Sequence, residues 1–317
     1  MTTEAFPKYM WVDGERIAWE SATIHMSELG WSTVGGVFEG IKAYWSEGHN
    51  DLFVFRLREH LERLHRSMRL VRLPVHHTVA ELTEAIRGLL LANEVREDVY
   101  IFPMAFQKDS YTDRFNLLEQ ESRLLIRTQP TPSHLFSGRK VTAGVSSWRR
   151  INEDVMPPRV KNLSNYRNGQ LARMDSLQSG YDTALILNQQ GKVAEGPGAC
   201  VVIIRDGKLI TPDLTQSVLE SITRDAIITL AREDLGLVVE ERPVDRTELY
   251  MADEAFLCGT HAEITPISSV DRFQLGDGEV GPITQQLERA LDNAFRGHDG
   301  RWEAWRTPVG VPSAIPA

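Results

Sequence analysis

The chain has 317 residues, 42% of them hydrophobic, so it can bury a sizeable core and has room for about two domains. Its 35 basic and 44 acidic side chains give a net charge of −9 and are interspersed, which excludes the basic face that nucleic acid or anionic lipid would need. Cys200 and Cys258 have no metal-ligand spacing, and such sparse use favours a reducing compartment. Because no signal segment or apolar span is predicted, we expect a cytoplasmic protein.

The first third of the chain predicts a mixture of strands and helices. Asp13-Gly14 stands between apolar-rich flanks, which favours a two-residue hairpin over residues 9–18. Apolar residues at helical spacing predict helices over 57–70 and 79–91, and VYIFPMAF predicts a buried strand.

The second part of the chain predicts short strands around a few helices. Pro, Ser and Gly in TPSHLFSG predict a connection at 131–138 between a small N-terminal domain, 1–130, and a larger domain, 139–317. VTAGVSSW predicts a strand, and a helix over 165–179 should end at Gly180. Five strand-like segments then surround one strong helix, ITRDAIITLARE, and the Pro-rich end from Arg301 predicts a loosely held tail. The pattern predicts an α+β fold.

The segment from Arg159, RVKNLSNYRNGQLARMDSLQSGYDTALILNQQGKVAEGPG, resembles fold-type IV aminotransferases of the branched-chain group. WVDGERIAWESA, VFEGIKAY, REHLERLHRSMRL, VSSWRR, VLESITRDAI, ADEAFLCGTHAEITP and GPITQQL resemble further segments of that family, in its order. The resemblance implies a two-domain α+β fold with a small N-terminal α/β domain and a strand-rich larger one. It also implies a homodimer that uses pyridoxal 5′-phosphate (PLP). The expected reaction is a ping-pong exchange, via pyridoxamine phosphate, between an apolar or aromatic amino acid or related amine and a 2-keto acid.

The same resemblance assigns the residues that bind the cofactor. Lys161 is the implied catalytic residue, since an amine can bond to the cofactor aldehyde and then move the Cα proton. Glu195 matches the acidic partner of the ring nitrogen, which makes the ring a better electron sink. The other implied cofactor contacts are Tyr166 at the phenolic oxygen, Arg63, Ile222 and Thr223 at the phosphate, and Thr260.

A second set of residues is expected to bind the substrate. The segment CGTHAEITP resembles a loop whose backbone amides, at Thr260, His261 and Ala262, bind the substrate carboxylate. The resemblance gives His261 no role in proton transfer. The side chains of Phe38, Tyr100 and Phe102 should form an aromatic pocket that favours apolar or aromatic substrates.

Several positions depart from the family pattern. Bacterial members usually have an arginine at the position of Phe102, which binds the distal carboxylate of glutamate or 2-oxoglutarate. We therefore expect 2-oxoglutarate to be a poor acceptor, because its second carboxylate would face a phenyl ring unpaired. Thr33, or Trp31 after a shift, stands where many members have a pocket tyrosine. Residues 195–200, EGPGAC, lack the asparagine of the common EGxGEN motif, and Glu220-Ser221 replaces a Pro-Gly pair.

Three alternatives stay open from the sequence. D-amino-acid and (R)-amine transaminases share the scaffold, and the changed pocket wall is compatible with them. A PLP lyase of the aminodeoxychorismate lyase type is a second alternative, against which VSSWRR, GTHAEITP and the long N-terminal segment argue. The lost asparagine and arginine suggest a third, a non-catalytic paralogue that binds PLP or a partner subunit without turnover.

Overall fold

The computed structural model describes residues 6–26, 29, 31–108 and 121–311. These residues fall into two compact units. The first unit draws on the ranges Met1–Ser133, Val160–Ser164 and Asn293–Ala317. The second draws on His134–Arg159 and Asn165–Asp292. No helix among the described residues combines the length and the apolar character that crossing a membrane requires.

The helices and strands follow one another along the chain with the following bounds. Up to Pro130 they are β1 (Tyr9–Val12), β2 (Glu15–Ala18), α1 (Trp31–Val34), β3 (Val37–Phe38), β4 (Ile41–Ser46), β5 (Asp51–Phe55), α2 (Leu57–Leu70), α3 (Val79–Ala92), β6 (Val99–Lys108) and β7 (Glu121–Pro130). The later elements are β8 (Val141–Arg149), α4 (Tyr166–Gln178), β9 (Thr183–Leu187), β10 (Val193–Glu195), β11 (Cys200–Arg205), β12 (Lys208–Thr211), α5 (Ile222–Glu233), β13 (Val239–Glu241), α6 (Arg246–Leu249), β14 (Glu254–Gly259), β15 (Glu263–Val270), β16 (Phe273–Gln274), α7 (Pro282–Arg296) and β17 (Arg306–Pro308).

The local sequence signals of the first third are confirmed. Asp13 and Gly14 both have positive φ, 48° and 101°, and join β1 to β2 as a hairpin. The apolar residues of α2 and α3 face one core, because their spacing places them on one side of each helix. Helix α3 begins with a capping box in which the Thr78 and Glu81 side chains each bond to the other's backbone N–H.

The sheet of the first unit has the strand order β17-β5-β4-β6-β7-β1-β2, and β3 pairs with β6. Alternate residues of β6 face opposite sides, as the period of a strand requires. Val99 and Ile101 are buried in the core that includes apolar residues of α2 and α3. Tyr100 and Phe102 lie on the other face and are half-buried. The face of β6 that carries Tyr100 and Phe102 is the one that contributes to the candidate site.

The sheet of the second unit closes on itself. Its order is β10-β9-β8-β15-β14-β11-β12-β13, and β10 also pairs with β11. Most neighbours are antiparallel, but β9 and β15 both run parallel to β8, and β13 runs parallel to β12. Helix α4 ends at Gln178, and Gly180 follows two residues later with a φ of 84°, as the glycine signal predicts. The fold is therefore α+β, which confirms the predicted class.

The prediction of a loosely held tail is wrong for the described residues up to Val311. Strand β17 pairs antiparallel with β5, and Val309 is fully buried. Phe295, near the end of α7, stacks on Tyr44 with ring centroids 3.9 Å apart. These contacts place residues 295–309 in the first unit, whereas the sequence assigned them to the second domain. The pairing joins segments far apart in the chain, so the local Pro-rich pattern gave no sign of it.

Candidate active site

Lys161 lies in a short segment that belongs to the first unit, although the chain on both sides of it belongs to the second. The segment continues the sheet at β3. The Phe38 N–H donates to the Lys161 carbonyl at 3.0 Å, and the Leu163 N–H donates to the Gly36 carbonyl at 2.8 Å. Only 9% of Lys161 is exposed. The backbone of Lys161 is thus fixed against a strand, which limits where its amine can reach.

An aromatic wall begins at the Lys161 side chain. The Lys161 Nζ lies 4.7 Å from the centroid of the Phe38 ring. Phe38 stacks on Phe102 with centroids 5.0 Å apart and an angle of 30° between the rings. The structure therefore brings together two of the predicted pocket residues and the predicted catalytic lysine within one unit.

Tyr100, the third predicted pocket residue, lies on the same face of β6 as Phe102. Its hydroxyl approaches the backbone of Gly40 so closely that a Cβ at Gly40 would overlap it. Gly40 thus creates the space for the tyrosine, a requirement that the sequence did not single out. Thr33, which stands where the family pattern has a tyrosine, is exposed.

Arg63 extends from α2 into a buried ion pair with Glu39. Its Nε donates to Glu39 Oε1 at 2.6 Å, and its Nη2 donates to Glu39 Oε2 at 2.8 Å. His60 Nδ1 lies 2.8 Å from the same Glu39 Oε2. Such a two-point contact fixes the plane of the guanidinium group. Sequence reasoning missed Glu39 and His60, although an acidic residue after the apolar pair Val37–Phe38 was a usable signal.

The electrostatics of this cluster keep Glu39 ionised. Burial by itself raises the pKa of Glu39, but the charge of Arg63 and the hydrogen bonds from Arg63 and His60 outweigh burial. The pKa of Glu39 consequently lies well below its ordinary value of 4.5. Burial lowers the pKa of His60 and outweighs the hydrogen bond and charge of Glu39, which raise it, while the charges of Arg63 and Lys161 add smaller decreases. We therefore expect a negative Glu39 and a neutral His60 at neutral pH.

We predict that Glu39→Gln removes stability in a pH-dependent way. A carboxylate whose pKa is lowered by folding stabilises the folded state at pH values above its ordinary pKa. This contribution is lost as the pH falls towards the pKa that the group has in the folded protein. The variant should lose about 3 kcal/mol of unfolding free energy at pH 7, since Arg63 is left buried without its partner. Urea unfolding at pH 7 and pH 4 should show a smaller difference from wild type at pH 4. Glu62→Gln, on the exposed pair with Arg58 of the same helix, is the control. An equal difference at both pH values would contradict the prediction.

In the second unit, Glu195 at the end of β10 is held by two partners. Arg150 Nη2 lies 2.7 Å from Glu195 Oε1, and both side chains are buried. The Leu219 N–H donates to Glu195 Oε2 at 3.0 Å. Arg150 is itself positioned by Asn168, whose Oδ1 accepts from Nη1 at 3.4 Å and whose Nδ2 donates to the Arg149 carbonyl. The structure thus presents a buried carboxylate in a fixed orientation, and Arg150 is a partner that the sequence did not reveal.

The loop after Glu195 packs against the start of α4. A Cβ at Gly198 would meet Tyr166 Cε1 at 3.5 Å, so the Tyr166 ring lies directly beside this glycine. A Cβ at Gly169 would overlap the Pro197 carbonyl, so the helix can approach the loop only because residue 169 is glycine. Replacement of the family's EGxGEN motif by EGPGAC therefore still leaves a close contact between this loop and Tyr166.

Helix α5 begins at Ile222 and Thr223, the predicted phosphate contacts. Ser221 is the N-cap, and its side chain accepts from the Arg224 N–H at 3.2 Å. Thr223 is buried within the first turn and is not the cap. The N–H groups of the first turn of a helix point outward and favour anions. Glu220-Ser221, which replaces Pro-Gly, thus keeps a well-capped helix start.

The predicted carboxylate loop is the turn between β14 and β15. Thr260 and Ala262 are half-buried, and His261 is exposed. The Ala262 carbonyl accepts from His134 Nε2 at 2.7 Å and from Thr265 Oγ1 at 2.8 Å. In the described part of the chain, no backbone-to-backbone hydrogen bond uses the amide of Thr260 or of Ala262. The hydrogen bonds to the Ala262 carbonyl fix the turn, and the amides of Thr260 and Ala262 can donate to an anion.

PLP needs an amine for its aldehyde, an acid for its ring nitrogen and donors for its phosphate, and each unit taken by itself holds groups of these kinds. The first unit offers the buried Lys161 amine and the Arg63 guanidinium. The second offers the buried Glu195 carboxylate, the Tyr166 ring and the start of α5.

Comparisons with known proteins agree with this donor set. Residues 36–270 match the family described as "Amino-transferase class IV". The chain belongs to this family. It is accordingly an aminotransferase that depends on PLP, and the resemblance found in the sequence is confirmed.

Three relatives illustrate the similarity of this chain to known proteins in sequence and in fold. The chain is 41% identical over 302 residues to a probable branched-chain-amino-acid aminotransferase of Aquifex aeolicus, covering 95% of this chain and 96% of that protein. The branched-chain amino acid aminotransferase of Thermobaculum terrenum in its PLP form is 50% identical, with a TM-score of 0.94 and coverage of 96% and 99%. The branched-chain amino acid aminotransferase of T.th., in complex with N-(5′-phosphopyridoxyl)-L-glutamate, is 33% identical, with a TM-score of 0.87 and the same coverage.

Proposed function

We propose that this aminotransferase acts on branched-chain and other apolar or aromatic L-amino acids and the matching 2-keto acids. The observation that carries the proposal is the aromatic wall of Phe38 and Phe102 beside the Lys161 amine. An apolar side chain on such a wall is shielded from water, whereas an unpaired charge there is disfavoured. The names of the relatives, which are branched-chain enzymes, support the same substrate class.

The proposed roles follow from the chemistry of each group. PLP, when bound, supplies a ring that withdraws electrons from the substrate Cα. The Lys161 amine holds the cofactor, takes the Cα proton and later returns it. Glu195, with Arg150 against it, stabilises a proton on the ring nitrogen. The remaining proposed cofactor contacts are Arg63 and the N–H groups of Ile222 and Thr223 at the phosphate, Tyr166 at the phenolic oxygen, and Thr260.

The substrate carboxylate is proposed to bind at the turn between β14 and β15. The amides of Thr260, His261 and Ala262 can donate to it, while His134 holds the turn through the Ala262 carbonyl. Tyr100 is proposed to line the pocket together with Phe38 and Phe102. The exposed His261 side chain has no proposed part in proton transfer.

A comparison of single amino donors tests the proposed substrate class. We expect kcat/KM for L-leucine to exceed that for L-alanine by about 50-fold, because each of three extra buried carbons contributes about 0.8 kcal/mol. The measurement is the rate at which each amino acid changes the cofactor absorbance of the holoenzyme. D-leucine and (R)-1-phenylethylamine belong in the same series. A preference for L-alanine, for D-leucine or for the amine would contradict the proposal.

The homodimer that the resemblance implies and the cytoplasmic location expected from the sequence stay predictions. The lyase and the non-catalytic alternatives are not favoured, since the relatives are aminotransferases over most of their length.

A further inference from the structure

Arg127 lies on β7 directly across from Phe102. The two residues are register partners in the antiparallel pair β6 and β7, so their side chains share one face of the sheet. The Arg127 Cζ is 4.6 Å from the centroid of the Phe102 ring. A guanidinium at this distance from a ring is held by a cation–π contact.

A continuous line of contacts leads from the catalytic lysine to this arginine. The Lys161 Nζ contacts Phe38, Phe38 stacks on Phe102, and Phe102 contacts Arg127. All four residues belong to the first unit. The far end of the proposed apolar wall therefore carries a positive charge.

Within the described ranges of the chain, Arg127 has no acidic partner. Among the residues that the structure describes, no carboxylate lies within ion-pair distance of Arg127. Its Nη1 donates to Gln129 Oε1 at 3.3 Å, a neutral partner. Arg123, on the same strand, differs in that it pairs with Asp13 at 2.8 Å. Arg127 is half-buried, and its side chain is always charged.

We propose that Arg127 binds the second carboxylate of a dicarboxylic amino acid or keto acid. The guanidinium lies against the Phe102 ring, and the edge of a guanidinium is the part that donates to both oxygens of a carboxylate. The inference rests on the proposed function and extends it to the acidic co-substrate. One relative was solved in complex with a derivative of glutamate, which is a dicarboxylic amino acid, and this supports a co-substrate of that kind. This proposal is the opposite of the sequence-based expectation that Phe102 makes 2-oxoglutarate a poor acceptor.

Substrate selectivity of the holoenzyme tests this inference. In wild type we expect turnover of both 2-oxoglutarate and 4-methyl-2-oxopentanoate with an L-amino donor. In Arg127→Leu, the ratio of kcat/KM for 2-oxoglutarate to that for 4-methyl-2-oxopentanoate should fall about 30-fold, the loss expected for one hydrogen-bonded charge. In Arg127→Lys the ratio should fall less, because lysine keeps the positive charge but cannot donate the two parallel hydrogen bonds of a guanidinium group.

Arg123→Leu is the matched control, since it removes the same side chain from the same strand away from the aromatic wall. Its ratio should stay at the wild-type value. A second measurement avoids turnover: glutarate should bind the wild-type holoenzyme more tightly than it binds Arg127→Leu or Arg127→Gln, as measured by calorimetry. A role for Arg127 in sheet stability alone would lower the unfolding midpoint and leave both the ratio and the glutarate affinity unchanged.

The failure of this inference can be told apart from the failure of the proposed function. If wild type uses L-leucine but not 2-oxoglutarate, or if Arg127→Leu keeps the wild-type ratio, the role of Arg127 is overturned and the apolar substrate class stands. If wild type does not react with L-leucine, the proposed function fails, and the glutarate titration still decides whether Arg127 binds a dicarboxylate.

Discussion

Lys161→Ala is expected to lower kcat with L-leucine by at least about 10⁴-fold. The variant loses the amine that lies beside the Phe38 ring on a residue whose backbone carbonyl accepts from the Phe38 N–H. That amine both holds the cofactor and moves the proton, so two contributions to the rate disappear together. The measurement is single-turnover absorbance with saturating L-leucine and added PLP. Borohydride should bleach the visible band of wild type but not fix cofactor to the variant.

Lys42→Met is the matched control for Lys161. Lys42 is also buried in the first unit, where its Nζ donates to the Pro132 carbonyl and lies over the Tyr44 ring. Its replacement changes a buried lysine without touching the proposed cofactor amine. We expect the Lys42 variant to retain a borohydride-sensitive band. Retention of covalent cofactor by Lys161→Ala would contradict the assignment.

Glu195→Gln is expected to reduce both activity and stability. The substitution keeps the shape of the side chain but removes the charge that faces Arg150 at 2.7 Å. Without a carboxylate the ring nitrogen loses its acidic partner, and we expect kcat to fall about 100-fold. The buried Arg150 loses its counter-charge, which should cost about 3 kcal/mol of unfolding free energy. Steady-state kinetics and urea unfolding of the same preparation measure the two effects.

Glu254→Gln separates these effects. Glu254 is another buried carboxylate of the second unit, where it accepts from the Ile283 and Thr284 N–H groups at the start of α7. Its replacement should reduce stability and leave kcat per folded molecule near the wild-type value. If Glu195→Gln behaved in the same way, Glu195 would be a structural residue only.

Features encoded by neighbouring residues were predictable from the sequence. The Asp13-Gly14 turn, the helices α2 and α3 and the glycine that follows α4 each depend on residues within a few positions. The family resemblance was also carried by local motifs, so the fold class and the cofactor followed from it. Helix α7 was not predicted from its spacing, although its start was among the matching segments.

Features that depend on strand register were not predictable. From the sequence, Phe102 indicated only that the family's arginine at this position is absent. That Arg127 lies opposite Phe102 follows from the register of β6 and β7, which the sequence does not show. The pairing of Arg150 with Glu195 likewise joins the end of one strand to the end of another. The packing of β17 on β5 joins residues 306–308 to residues 53–55, about 250 positions earlier in the chain. In each case the contact arises from sheet topology rather than from spacing along the chain.

The most direct test of the account locates the cofactor on the chain. The wild-type holoenzyme is reduced with borohydride and digested, and the peptide that carries the phosphopyridoxyl group is identified by mass spectrometry. The structure predicts that the modified residue is Lys161, in the segment between Arg159 and Arg167. A modification on another lysine, or a holoenzyme in which no lysine is modified, would contradict the account.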